Sequence, residues 1–137
     1  MNKYITSDYV VSALANLPQL VFEVTDACNL RCKYCAYGEF YEDYDCRENK
    51  MLSTEKAIRL IDYLVEYWNS NLNTSADKNI MISFYGGEPL LNFPFIEAVV
   101  KHIRNNVHCP HRRFSFSMTT NAILLHKYMD FLQENNF

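Results

Sequence analysis

Cys28, Cys32 and Cys35 stand in the pattern C-x3-C-x2-C, within Thr25-Asp26-Ala27-Cys28-Asn29-Leu30-Arg31-Cys32-Lys33-Tyr34-Cys35. A thiolate is a soft ligand that prefers iron–sulfur or zinc partners. Three thiolates in one short loop can grip one face of a cube-shaped cluster and leave one iron without a protein ligand. An iron with open coordination sites can bind a small molecule and pass it an electron. Two other readings of the cysteines stay open. Their spacing also suits one face of a helix, as a buried stripe. Zinc is the rival metal, and as a structural ion it wants four ligands, the fourth coming from Cys46.

A second group stands further on, Gly86-Gly87-Glu88-Pro89. The chain has only 3 glycines, and two of them are adjacent here. A pair of glycines marks a place where backbone turns sharply or approaches something closely. Thr120-Asn121-Ala122 forms a third turn signal.

The elements that position these groups follow from periodicity. Leu20–Thr25 is apolar and β-branched and reads as a first strand, directly before the cysteine loop. Ser53 or Thr54 starts a helix, with Ala57, Ile58, Ile61, Leu64, Val65 and Trp68 on one face. Asn79–Tyr85 reads as a second strand that stops at the glycine pair. Pro94 suits the first turn of a helix that buries Phe95, Ile96, Val99, Val100 and Ile103. Phe114–Thr119 alternates with period two as a third strand, and a last helix runs from about Leu125 to Glu134.

Alternation of strand and helix predicts parallel strands joined by right-handed crossovers, an α/β fold. Sites in such sheets form at the carboxyl ends of the strands. The cysteine loop, the Gly-Gly-Glu-Pro turn and the Thr-Thr-Asn turn each follow a strand, so all three are expected on one face.

The 137 residues fit one domain or a piece of a larger one. With 49% of residues apolar and 15% aromatic, a buried core is expected. The net charge of −3 is too mild to point to nucleic acid or a membrane surface. No apolar run approaches the ~20 residues that span a bilayer, and Met1-Asn2-Lys3-Tyr4 has no apolar signal core. A reducing cytoplasm is the expected compartment, where clustered cysteines serve as ligands or catalysts more often than as disulfides.

With these motifs in this order, the sequence resembles the radical S-adenosylmethionine enzymes. Cys28-x3-Cys32-x2-Cys35 after a first strand carries the likeness, with an aromatic just before the last cysteine. Gly86-Gly87-Glu88-Pro89 after a second strand looks like that superfamily's Gly-Gly-Glu motif. Thr120-Asn121-Ala122 is similar to its Thr-Asn-Gly, with alanine replacing glycine. The surrounding residues look most like peptide and protein maturases, including anaerobic sulfatase maturases of the SPASM type.

The resemblance implies that Cys28, Cys32 and Cys35 hold a [4Fe-4S] cluster whose open iron chelates S-adenosylmethionine. It places Tyr34 near the adenine, and Gly86, Gly87 and Glu88 at the methionine amino group, largely through backbone. Reduction by an external donor such as a flavodoxin or ferredoxin would yield a 5′-deoxyadenosyl radical that acts on a peptide or protein substrate. The implied fold is a partial parallel (β/α) barrel, about three βα units of a (β/α)6 barrel. Residues 19–137 would form the incomplete core and residues 1–18 an N-terminal extension. The chain is then expected to be a fragment or a truncated product, incomplete alone, and a non-catalytic relic stays open as a reading.

Other residues are expected to be unremarkable. Residues 36–50 read as an acidic, tyrosine-bearing surface loop, or else as a lid near the site. Arg112 and Arg113 precede the third strand, on the face away from the site, and read as solvated charge. Cys109 and Cys46 read as plain loop thiols.

Overall fold

The computed structural model describes residues 4–35 and 47–137. Its elements are α1 (Ser7–Ala15), β1 (Gln19–Thr25), α2 (Thr54–Trp68), β2 (Asn79–Gly86), α3 (Phe93–Asn106), β3 (Arg113–Met118) and α4 (Leu125–Glu134). A short 3₁₀ turn, Pro89–Asn92, joins β2 to α3. The strands form one sheet in the order β1-β2-β3, and both pairings are parallel. This is the α/β arrangement expected from the alternation, and it is consistent with part of a radical S-adenosylmethionine (β/α) barrel.

Strand alternation separates two faces. Phe22, Val24, Ile80, Ile82, Phe84 and Phe116 are buried on one face. They share a core with Ala57, Ile61, Leu64 and Trp68 of α2 and with Phe95, Ile96, Val99, Val100 and Ile103 of α3. Both helices present these residues at the spacing that makes one apolar stripe. Ser53 caps α2 by accepting from Lys56 N–H at 3.4 Å.

The other face is polar. Gln19 donates to Ser83 Oγ at 2.8 Å, and Ser83 and Ser117 hydroxyls meet at 2.8 Å. Val21 and Tyr85 stand exposed on the same face. A parallel sheet is normally apolar on both sides when helices cover both. Here the helices cover one face only, and the other is polar and partly exposed.

The N-terminal residues hold a helix that periodicity did not reveal. Thr6 caps α1 by accepting from Tyr9 N–H at 3.3 Å. Its other end is fixed by Arg112, which is only 4% exposed. The guanidinium donates to Ala15 O at 3.1 Å, Leu17 O at 2.6 Å and Lys78 O at 3.2 Å. The reading of Arg112 as solvated charge is therefore corrected. Its acceptors are backbone carbonyls at the end of α1 and beyond it, where a helix favours a cation. Arg113 is exposed, as expected. Cys109 is 9% exposed and belongs to the core cluster, and burial pushes its thiol pKa up. Among the described residues, no helix is long and apolar enough to cross a membrane.

Candidate functional site

The strand ends do bring the three motifs together. β1 ends at Thr25, and the chain turns at once into the cysteine loop. Thr25 is buried, and its hydroxyl accepts from Ala27 N–H at 3.0 Å and donates to Lys50 O at 2.7 Å. The returning segment lies along β1, where Leu52 N–H donates to Val24 O at 2.9 Å. Glu48 N–H donates to Asp26 Oδ2 at 2.6 Å. Both ends of the cysteine loop are thus pinned to the end of β1. Residues 36–46 lie outside the described residues, so the lid reading, the loop's tyrosines and Cys46 do too.

The glycine pair is pressed against this same turn. Gly87 N–H donates to Thr25 O at 2.7 Å, and Glu88 N–H donates to Ala27 O at 2.8 Å. A Cβ on Gly87 would overlap the Ala27 carbonyl oxygen and reach within 2.7 Å of Asp26 O. Gly86 has φ +132°, and a Cβ there would overlap the Thr25 carbonyl oxygen. Only glycine allows both the backbone angle and the approach. Gly87 O accepts from no donor among the described residues.

Glu88 has a second role that the sequence did not disclose. Its side chain is 0% exposed, and its carboxylate stays within the protein. Oε1 accepts from Leu90 N–H at 3.0 Å and from the Thr120 hydroxyl at 2.8 Å, and Oε2 accepts from Asn121 N–H at 2.8 Å. Glu88 therefore ties the turn after β2 to the turn after β3. Asn121 extends the link to the cysteine loop, donating through Nδ2 to Asn29 Oδ1 at 2.7 Å and to Cys28 Sγ at 3.8 Å.

The cysteines Cys28, Cys32 and Cys35 are half-buried free thiols. Cys35 N–H donates to Cys32 O at 3.1 Å, which makes their segment a turn rather than a helical stripe. Cys28 Sγ accepts from Leu30 N–H at 3.4 Å, and Cys35 Sγ accepts from Arg47 Nη2 at 3.3 Å. Sulfurs that accept N–H bonds on one soft-donor loop are the chemistry that an iron–sulfur cluster takes. Among the described residues, no three Cys, His, Asp or Glu side chains gather tightly enough for a single ion. Tyr34 is 89% exposed, and the neighbouring Cys32 side chain raises its phenol pKa.

The comparisons with known proteins agree with this arrangement. A profile of the Radical SAM superfamily matches residues 22–137. A radical SAM cyclopropyl synthase, TigE, of Paramaledivibacter caminithermalis is 30% identical over 122 residues, covering 82% of this chain and 24% of its own length. A cysteine-type anaerobic sulfatase-maturating enzyme of Clostridium novyi is 30% identical over 130 residues, covering 90% of this chain and 31% of its own. A probable GTP 3′,8-cyclase of Methanococcus aeolicus is 29% identical over 120 residues, covering 86% of this chain and 34% of its own. The chain thus spans between 24% and 34% of the length of these relatives. With its three strand-end turns joined and most of its length matched, the chain belongs to the radical SAM superfamily, whose enzymes use a [4Fe-4S] cluster and S-adenosylmethionine.

Proposed function

We propose that Cys28, Cys32 and Cys35 hold the cluster and that Gly86, Gly87, Glu88 and Tyr34 form one side of the S-adenosylmethionine site. The observation that carries this reading is the pair of backbone bonds from Gly87 and Glu88 to Thr25 and Ala27. They fix the glycine turn beside the first cysteine. In this reading the Gly87 carbonyl accepts from the methionine amino group, and Glu88 acts by holding the turns together. Tyr34 offers an exposed ring for the adenine. When bound, the cluster supplies one-electron reduction of the sulfonium to give a 5′-deoxyadenosyl radical.

Residues 19–137 would form the first part of the barrel, with residues 1–18 leading into it. The full protein would take electrons from a flavodoxin- or ferredoxin-like donor in a reducing cytoplasm. A peptide or protein is the substrate class best supported, by the residues around both motifs and by the likeness to a sulfatase-maturating enzyme.

Anaerobic reconstitution of the full-length protein with iron and sulfide tests the assignment. The expected product carries about four irons per site, lost in Cys28→Ala, Cys32→Ala and Cys35→Ala. It releases 5′-deoxyadenosine from S-adenosylmethionine under reduction. One tightly held zinc and no iron would replace the proposal with a structural metal module. Turnover of a nucleotide, with no action on peptides, would replace the substrate class alone.

A further inference from the structure

We propose that Arg47 sets the reduction potential of the cluster through Cys35, a role that rests on the ligand assignment above. Arg47 lies outside the cysteine motif, on the segment that returns to β1. Nη2 donates to Cys35 Sγ at 3.3 Å, and Nη1 donates to Leu30 O at 3.2 Å. The fork therefore spans the cysteine loop and is fixed at both tips. The backbone beside it is held by Glu48 N–H on Asp26.

A guanidinium carries a positive charge on a planar fork of donors. Reduction adds one electron, taken from the external donor, and makes the cluster more negative. A fixed cation at one thiolate stabilises that added charge more than the oxidised state. Hydrogen bonds to cluster sulfurs act in the same direction. The effect is directional within the site. Cys28 receives two neutral donors, Leu30 N–H at 3.4 Å and Asn121 Nδ2 at 3.8 Å, whereas Cys35 receives a charged one at 3.3 Å. Arg47 is thus a positioning and tuning residue: it needs no contact with S-adenosylmethionine or substrate.

The test is a redox titration of the full-length, anaerobically reconstituted protein, followed by the electron paramagnetic resonance of the reduced cluster. Wild type, Arg47→Gln and Arg47→Lys are compared, with iron content measured for each. The expected result is a loaded Arg47→Gln cluster that is about tenfold harder to reduce, a fall of about 59 mV for a one-electron couple. Arg47→Lys keeps the charge and should stay within about twofold of wild type by the same conversion. A loaded Arg47→Gln protein with unchanged potential overturns the proposal. If Arg47→Gln holds no iron, Arg47→Lys decides: wild-type potential supports the charge, and loss of iron there too makes Arg47 a scaffold residue and overturns it. Absence of iron from the wild type would strike the ligand assignment instead.

Discussion

Glu88 Oε2 accepts the backbone N–H of Asn121 at 2.8 Å, across 33 residues of sequence. The turn after β2 is therefore held to the turn after β3 by one buried carboxylate. An unpaired carboxylate would not stay in such a place, because burying a bare charge is costly. Here three donors surround it, and no basic side chain is among them.

Glu88→Ala should consequently cost about 3 kcal/mol of stability, since it strands Leu90 N–H, Asn121 N–H and the Thr120 hydroxyl. Glu88→Gln should cost about 1–2 kcal/mol, because its NH₂ must face donors. Urea unfolding measures both. A neutral Glu88→Ala would show that the turns are held by something other than this carboxylate.

Ala122 is the position where the chain departs from the Thr-Asn-Gly pattern, and it sits at φ +66°. A left-handed alanine costs roughly 1 kcal/mol or more. Its N–H is bonded to Thr120 Oγ1 at 3.0 Å, which keeps the turn in that conformation. Ala122→Gly should stabilise the protein by about 1 kcal/mol, although glycine normally destabilises by freeing the unfolded chain. A lower midpoint in urea for this variant would mean that the turn relaxes to negative φ in solution.

How much the sequence discloses depends on how local the cause is. Strands, helices and caps were legible because Ile61, Leu64 and Trp68, or Phe22 and Val24, repeat with the period of the element that buries them. The grouping of the three turns was legible because chain order alone sets parallel strand ends on one face. Contacts between distant segments were not. Nothing near Arg112 in sequence names Ala15 or Leu17 as its acceptors, 97 and 95 residues away. A buried Glu88 side chain was hidden too, since its donors are backbone groups that any residue supplies. The α1 helix escaped notice because most of its residues stay exposed, so no apolar stripe marks it.

Arg112 gives the sharpest contrast between neighbours. Arg112→Met should cost about 2–4 kcal/mol, because the buried Ala15 carbonyl and the part-buried Leu17 carbonyl lose this donor and Lys78 O keeps only Arg113 N–H. Arg113→Met, on an exposed side chain, should stay within about 0.5 kcal/mol. Limited proteolysis adds a readout of place: cleavage near Leu17 should rise in Arg112→Met and not in Arg113→Met. Equal effects of the two changes would return Arg112 to the solvated role first expected of it.

Cys109 should behave unlike the three site cysteines. Burial raises its pKa, and the nearby Arg112 charge opposes this only in part. The thiolate is the reactive form, so a raised pKa and a buried sulfur both slow alkylation. In the cluster-free protein, iodoacetamide at pH 8 should modify Cys28, Cys32 and Cys35 at least tenfold faster than Cys109, as peptide mapping would read. Folding also favours the neutral thiol. Its contribution is full below the ordinary thiol pKa of about 8.5 and is lost as pH rises through the raised folded value. Stability should therefore fall more steeply above pH 9 in the wild type than in Cys109→Ala. Parallel pH profiles of the two proteins would show instead that Cys109 ionises as freely when folded as when unfolded.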